Sequence, residues 1–114
     1  MNKNYVAVFE MTSWLGVTQH IVKGDDASEL LTNFEDIQSL HCLIRHGRYE
    51  EDENGQKELD KLEEILDKRD SGELTIEELK KMDINLSLGY IKCIAIFEDE
   101  GAEERIKSVF PNAK

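Results

Sequence analysis

Proline and cysteine are nearly missing from this chain, and acids outnumber basic residues almost two to one. Pro111 is the single proline, so no proline-rich linker divides the 114 residues. A length of that order is expected to fold as one domain, residues 1–114. Cys42 and Cys93 are the only thiols, and they stand inside the apolar runs 40–44 and 91–95. Two such residues make no disulfide scaffold, and small buried thiols are the expectation. No run approaches the roughly 18 apolar residues that a membrane span needs. Met1-Asn2-Lys3-Asn4-Tyr5 also lacks the apolar core of a secretion signal. The expected location is the cytoplasm, with both thiols reduced.

Reactive sets are missing as well. Gly16, Gly24 and Gly47 stand alone, so no glycine-rich loop is available to cradle a phosphate. None of the serines lies in a Gly-x-Ser-x-Gly elbow. His20, His41, His46, Cys42 and Cys93 fit no zinc-ligand spacing. An apolar flank raises the pKa of a thiol rather than activating it, which argues against Cys42 as a nucleophile. The chain is expected to be no enzyme and to carry no cofactor.

What is present in excess is negative charge. The formal net charge is −11, and residues 50–83 alone hold fourteen acids against six bases. A field of that sign repels nucleic-acid backbones and anionic membranes, and it attracts basic protein surfaces or metal cations. Arg45, His46 and Arg48 form the only basic spot, too small for a strong anion site.

Residues 5–12 are rich in β-formers and read as a strand, and 17–22 alternate as a second. Ser13-Trp14-Leu15-Gly16 between them predicts a hairpin turn, in which Trp14 either plugs the core, the favoured reading, or stands out as an anchor for a partner. Asp26, three residues before Glu29, marks a helix start, and Leu30, Leu31, Phe34 and Ile37 continue it over 27–37. The short apolar stretch 39–45 reads as a third strand ended by Gly47. Residues 50–55 carry an Asn-Gly turn signal and read as a solvated, mobile acidic loop. Leu59, Leu62, Ile65 and Leu66 predict a helix over 56–69, and Thr75 with Glu78 predicts a capping box for a short helix, 76–82. Residues 88–97 are the most apolar run and read as a central strand. After a charged turn at 98–101, Ala102, Ile106, Val109 and Phe110 mark a closing helix that Pro111 ends. The order β-β-α-β-α-α-β-α predicts an α+β fold: a small antiparallel or mixed four-stranded sheet with helices mainly on one face.

One local pattern is more specific. Asp67-Lys68-Arg69-Asp70-Ser71-Gly72-Glu73-Leu74-Thr75-Ile76-Glu77-Glu78 resembles the twelve-residue calcium loop of the EF-hand family. The resemblance implies Asp67, Ser71, Thr75 and Glu78 as ligands in places one, five, nine and twelve, with Gly72 at the sharp turn in place six. Arg69 departs from the pattern, since a guanidinium in place three offers no acceptor. The competing reading is a helix hairpin in which Gly72 ends one helix and Thr75 caps the next.

These features rank a non-catalytic protein-binding module first, of inhibitor, immunity or adaptor type. By class analogy such a protein resembles the small acidic blockers of phages and mobile elements, some of which mimic the charge of DNA. The expected partner is a basic protein surface, such as that of a nucleic-acid-binding protein. The expected contact residues are Trp14, Glu50, Glu51, Asp52, Glu53, Glu63, Glu64 and Glu73. The alternative is a calcium-responsive domain using 67–78.

Overall fold

The structure is a computed structural model that describes residues 5–87, 89–98, 102–109 and 111. Two long strands open the chain, β1 (Tyr5–Ser13) and β2 (Gly16–Gly24), joined tightly at Trp14-Leu15. Four helices follow: α1 (Ala27–Ile37), α2 (Leu40–Glu50), α3 (Glu53–Ser71) and α4 (Ile76–Lys80). The short strand β3 (Asp83–Asn85), the strand β4 (Tyr90–Phe97) and the helix α5 (Ala102–Val109) close it. The sheet is antiparallel throughout, in the order β2-β1-β4-β3. The expected class, an α+β chain with a small four-stranded sheet, is the class this chain adopts.

Strand alternation divides the sheet into two faces. Ala7, Phe9, Val22, Ile84, Ile91 and Cys93 point into the main core, where α1 to α4 supply Leu30, Leu31, Phe34, Leu40, Leu59, Leu62, Leu66 and Leu79. Phe9 and Phe34 stack there with ring centroids 4.4 Å apart. Val6 and Val8 point the other way and meet Ile106 of α5, with Ile21, Ile94 and Phe97 beside them. Four of the five described helices therefore share one face. A register shift between Val8 and Phe9 leaves Ile94 as an extra residue in β4, which keeps both Cys93 and Ile96 on the core side.

The caps form where the spacing placed them. Asp26 accepts from Glu29 N at 2.8 Å, and Thr75 and Glu78 make a reciprocal capping box. Other expectations fail for identifiable reasons. Residues 39–45 are not a strand, because Leu40, Leu43, Ile44 and Gly47 repeat at helical intervals and face the core as α2. Gly47 is no terminator there. A Cβ on it would lie 2.7 Å from Leu59 Cδ1, so glycine lets α2 press against α3. The segment 50–55 is not a loop throughout. Asp52 caps α3 by accepting from Gly55 N at 2.9 Å, and this places Asn54-Gly55 in the helix's first turn. The third strand is instead Asp83–Asn85, too short to stand out by pattern. Cys42 is exposed because helical geometry turns it away from the Leu40–Gly47 stripe, whereas Cys93 is buried. Trp14 does not plug the core; it is 89% exposed at the hairpin tip. Leu88, most of the turn at 98–101, and Phe110 lie outside the described residues, as do the side chains of Ala102 and Glu103. No described helix is long and apolar enough to cross a membrane.

Candidate functional site

The register brings the hairpin tip and the start of α3 to one end of the molecule. Thr12 of β1 sits opposite Tyr90 of β4, and Tyr90 sits opposite Asn85 of β3. The turn after β3 closes with a reciprocal pair of 3.1 Å hydrogen bonds between Leu86 and Gly89. Ser87 in that turn donates its N–H to Glu51 Oε1 at 2.6 Å and its hydroxyl to Glu51 Oε2 at 2.9 Å. The α2–α3 junction is thereby fastened beside the tip. Two strand spacings, about 10 Å, separate the β1–β2 turn from the turn after β3.

At this end Trp14, Leu15 and Val17 are exposed apolar side chains, with Leu15 at 79% and Val17 at 58%. Gly16, at φ 115°, is the left-handed residue that completes the turn. Glu50, Asp52 and Glu53 are exposed nearby. The side chains of Glu50 and Glu53 make no hydrogen bond or ion pair with any described residue. An open groove of about 480 Å³ runs from this cluster along β3, lined by Glu51, Asp52, Lys57, Glu58, Asn85 and Ser87.

Several expected contact residues are engaged within the chain. Glu51 holds Ser87, and Asp52 caps α3. Glu63 and Asp60 share Arg48 at 2.8 and 2.7 Å. Their hydrogen bonds raise the Arg48 guanidinium above its ordinary value. Glu64 lies 3.9 Å from Lys68. Glu73 is exposed just beyond Gly72, the cap of the far end of α3, so the fold separates it from the 50–53 group. The register thus puts Trp14 at the same end of the molecule as Glu50, Asp52 and Glu53, and leaves Glu73 at the far end of α3. Leu15 and Val17 were missed as candidates. Their signal was their place beside Gly16 in a two-residue turn, where a side chain has little to pack against.

The 67–78 segment forms the helix hairpin. Asp67 to Ser71 belong to α3, Gly72 is the left-handed cap at φ 77°, and Thr75 begins α4. Glu78 accepts from Lys68 Nζ and from Thr75, first through its hydroxyl and also through its N–H. The Lys68 ammonium is the main reason that the Glu78 carboxyl sits below its ordinary value. Arg69 turns to Glu35 and Asp70. Among the described residues no group of three or more His, Cys, Asp or Glu side chains is placed to hold a metal ion. The Cys93 thiol, pushed up to about 12 by burial, is not a nucleophile at neutral pH.

Comparison with known proteins adds no relative: no family model, no curated protein and no solved structure matches this chain.

Proposed function

We propose that this chain is a non-catalytic protein-binding module of inhibitor, immunity or adaptor type, which engages a basic partner through the end that carries the hairpin tip. The observation that carries the reading is an 89% exposed Trp14 at the same end of the sheet as the exposed carboxylates of Glu50, Asp52 and Glu53. A tryptophan standing free of its own core costs solubility unless a partner covers it, and aromatic anchors of this kind dominate interface energies. Carboxylates around such an anchor speed encounter with a cationic surface and are screened by salt.

The test is capture from the native host on immobilised protein, in parallel with Trp14→Ser and Glu50→Lys/Glu53→Lys versions. Trp14→Ser should weaken retention of a stoichiometric partner about thirtyfold, the scale of a 2 kcal/mol hot spot. The charge reversals should slow association several-fold at low salt and far less at high salt. Equal retention by all three proteins would dismiss this end of the molecule as the binding surface.

A further inference from the structure

The two outer strands of the sheet treat their outward backbone groups differently. In β3 and its continuation, Ile84 pairs with Ile91, Leu86 bonds Gly89 in both directions, and Met82 accepts from Cys93. The N–H groups of Asn85 and Ser87 therefore point outward, and each is taken by a carboxylate. Glu58 accepts from Asn85 N at 3.2 Å, and Glu51 accepts from Ser87 N.

In β2 the tight closure of Ser13 on Gly16 fixes the pattern. Thr18, His20 and Val22 direct their backbone groups to β1, while Val17, Gln19, Ile21 and Lys23 direct theirs outward. The carbonyl of Lys23 is met by Asn33 Nδ2 at 2.5 Å, which agrees with that direction. For Val17, Gln19 and Ile21 the fold supplies no strand on the outer side among the described residues. The strand is nine residues long and contains no proline, and Lys23 is its only formally charged residue. Natural sheets usually guard an edge of this kind with charge, proline or a bulge.

We infer that β2 is a dimerisation edge, pairing antiparallel with β2 of a second copy about a two-fold axis at Gln19. In that register Gln19 meets its own copy, and Val17 meets Ile21 in both halves. Six backbone hydrogen bonds form, and the Lys23 carbonyl keeps its Asn33 partner. The Val17–Ile21 pairs extend the apolar layer that Ile21 already shares with Val6 and Val8. A two-fold contact of this kind is self-complementary.

Charge selects a second copy over a basic peptide. Residues 16–22 hold no carboxylate to attract a cationic strand. The acid-rich 50–83 region lies over β3, at the other side of the sheet. In an eight-stranded dimer sheet the two β3 strands stand seven spacings apart, about 34 Å, which is several times the Debye length of about 8 Å at physiological salt. Two chains of charge −11 therefore meet along their least charged edge. The tips point in opposite directions, so the dimer presents two binding ends. The pairing does not depend on the proposed partner, and a failure of either leaves the other standing.

The experiment is sedimentation equilibrium on the full chain, with Gln19→Pro and Gln19→Lys beside it. Gln19 directs its N–H away from β1, so proline there spares the hairpin ladder and is compatible with an edge strand. Gln19→Lys keeps Glu10 as its neighbour within the chain, since Gln19 Nε2 now donates to Glu10 Oε1 at 3.2 Å. Both variants should retain the native circular dichroism. Gln19→Pro should abolish the dimer, and Gln19→Lys should raise its dissociation constant about fivefold or more by facing like charges. In a Cys42→Ser background, Gln19→Cys should form an intermolecular disulfide when oxidised glutathione is added as the electron acceptor, since directly paired Cα atoms sit within bridging range. A wild-type monomer at millimolar concentration overturns the inference, as does a dimer that survives in a folded Gln19 variant. Should Gln19→Pro fail to fold, the lysine and cysteine variants decide.

Discussion

The edge at β3 and the edge at β2 are built from the same backbone chemistry and finished in opposite ways. At β3 a helix lies alongside, and two of its neighbourhood's carboxylates, Glu51 and Glu58, occupy the outward N–H groups of Ser87 and Asn85. At β2 the Asn33 side-chain amide reaches the Lys23 carbonyl, and the backbone groups of Val17, Gln19 and Ile21 face outward with no strand on that side among the described residues. The difference teaches what the acidic stretch is for. Glu51 and Glu58 tie the start of α3 to the sheet and Asp52 caps the helix, while the side chains of Glu50 and Glu53 beside them form no such bond with a described residue. High charge density here serves structure and surface together, residue by residue.

The most disruptive single change expected at the guarded edge is Gly55→Ala. A Cβ at that position would lie 2.5 Å from Glu51 Cβ and closer still to its carboxylate. Overpacking of this order costs about 1–3 kcal/mol, against a helix-propensity gain of at most about 1 kcal/mol. The net result should be a lower denaturant midpoint. Amide exchange should speed up most at Ser87, whose acceptor is displaced, and should stay unchanged in β2. Uniformly faster exchange in both edges would show that Glu51 does not act as a local clasp.

Acid should distinguish the edges next. The Glu58 carboxyl is held below its ordinary value of 4.5, chiefly by the Lys61 ammonium and also by the Asn85 N–H, with burial opposing. A carboxyl whose folded pKa is depressed adds stability at pH values above its unfolded pKa. That contribution fades as the pH falls from 4.5 through the folded value. Glu78, lowered mainly by Lys68, behaves with the same sign at the α3–α4 hairpin. Amide chemical shifts of Asn85 and of the Thr75–Glu78 cap should therefore move together below pH 4.5, while those of Val17 and Ile21 stay put. A β2 that titrates in step with β3 would break the contrast.

Much of this architecture was readable beforehand where one element carried its own signal. Asp26 with Glu29, Thr75 with Glu78, and the apolar spacing of 27–37 each name a helix boundary through local hydrogen bonds. What escaped notice depends on contacts between elements. Gly47 reads as a strand stop until Leu59 is seen pressed against it, and Asn54-Gly55 reads as a turn until Asp52 caps the helix through it. The three-residue β3 exists because β4 offers it a ladder, which no run of three side chains announces. The site was legible only in part. Trp14 and the 50–53 acids could be named individually, but their meeting at one end follows from the Thr12–Tyr90–Asn85 register. Likewise, a carboxylate that guards a backbone N–H looks the same in sequence as one offered to a partner.

The smallest effect expected separates the centre of the sheet from both edges. Cys93 lies on β4 facing the core, 4% exposed, with its thiol pushed up to about 12 by burial, and Cys42 is exposed on α2. Thiolate is the reactive form, so at pH 8 an aromatic disulfide reagent should modify Cys42 rapidly and leave Cys93 untouched in the native protein. Introducing Gly55→Ala should loosen β3 without exposing Cys93, because β1 still covers the other side of β4. Reaction of the second thiol should then follow global unfolding, with a rate that tracks the denaturant midpoint rather than Ser87 exchange. If Cys93 instead reacts as readily as Ser87 exchanges, β3 and β4 open as one unit. The carboxylate clasps would then guard the middle of the sheet as well as its rim.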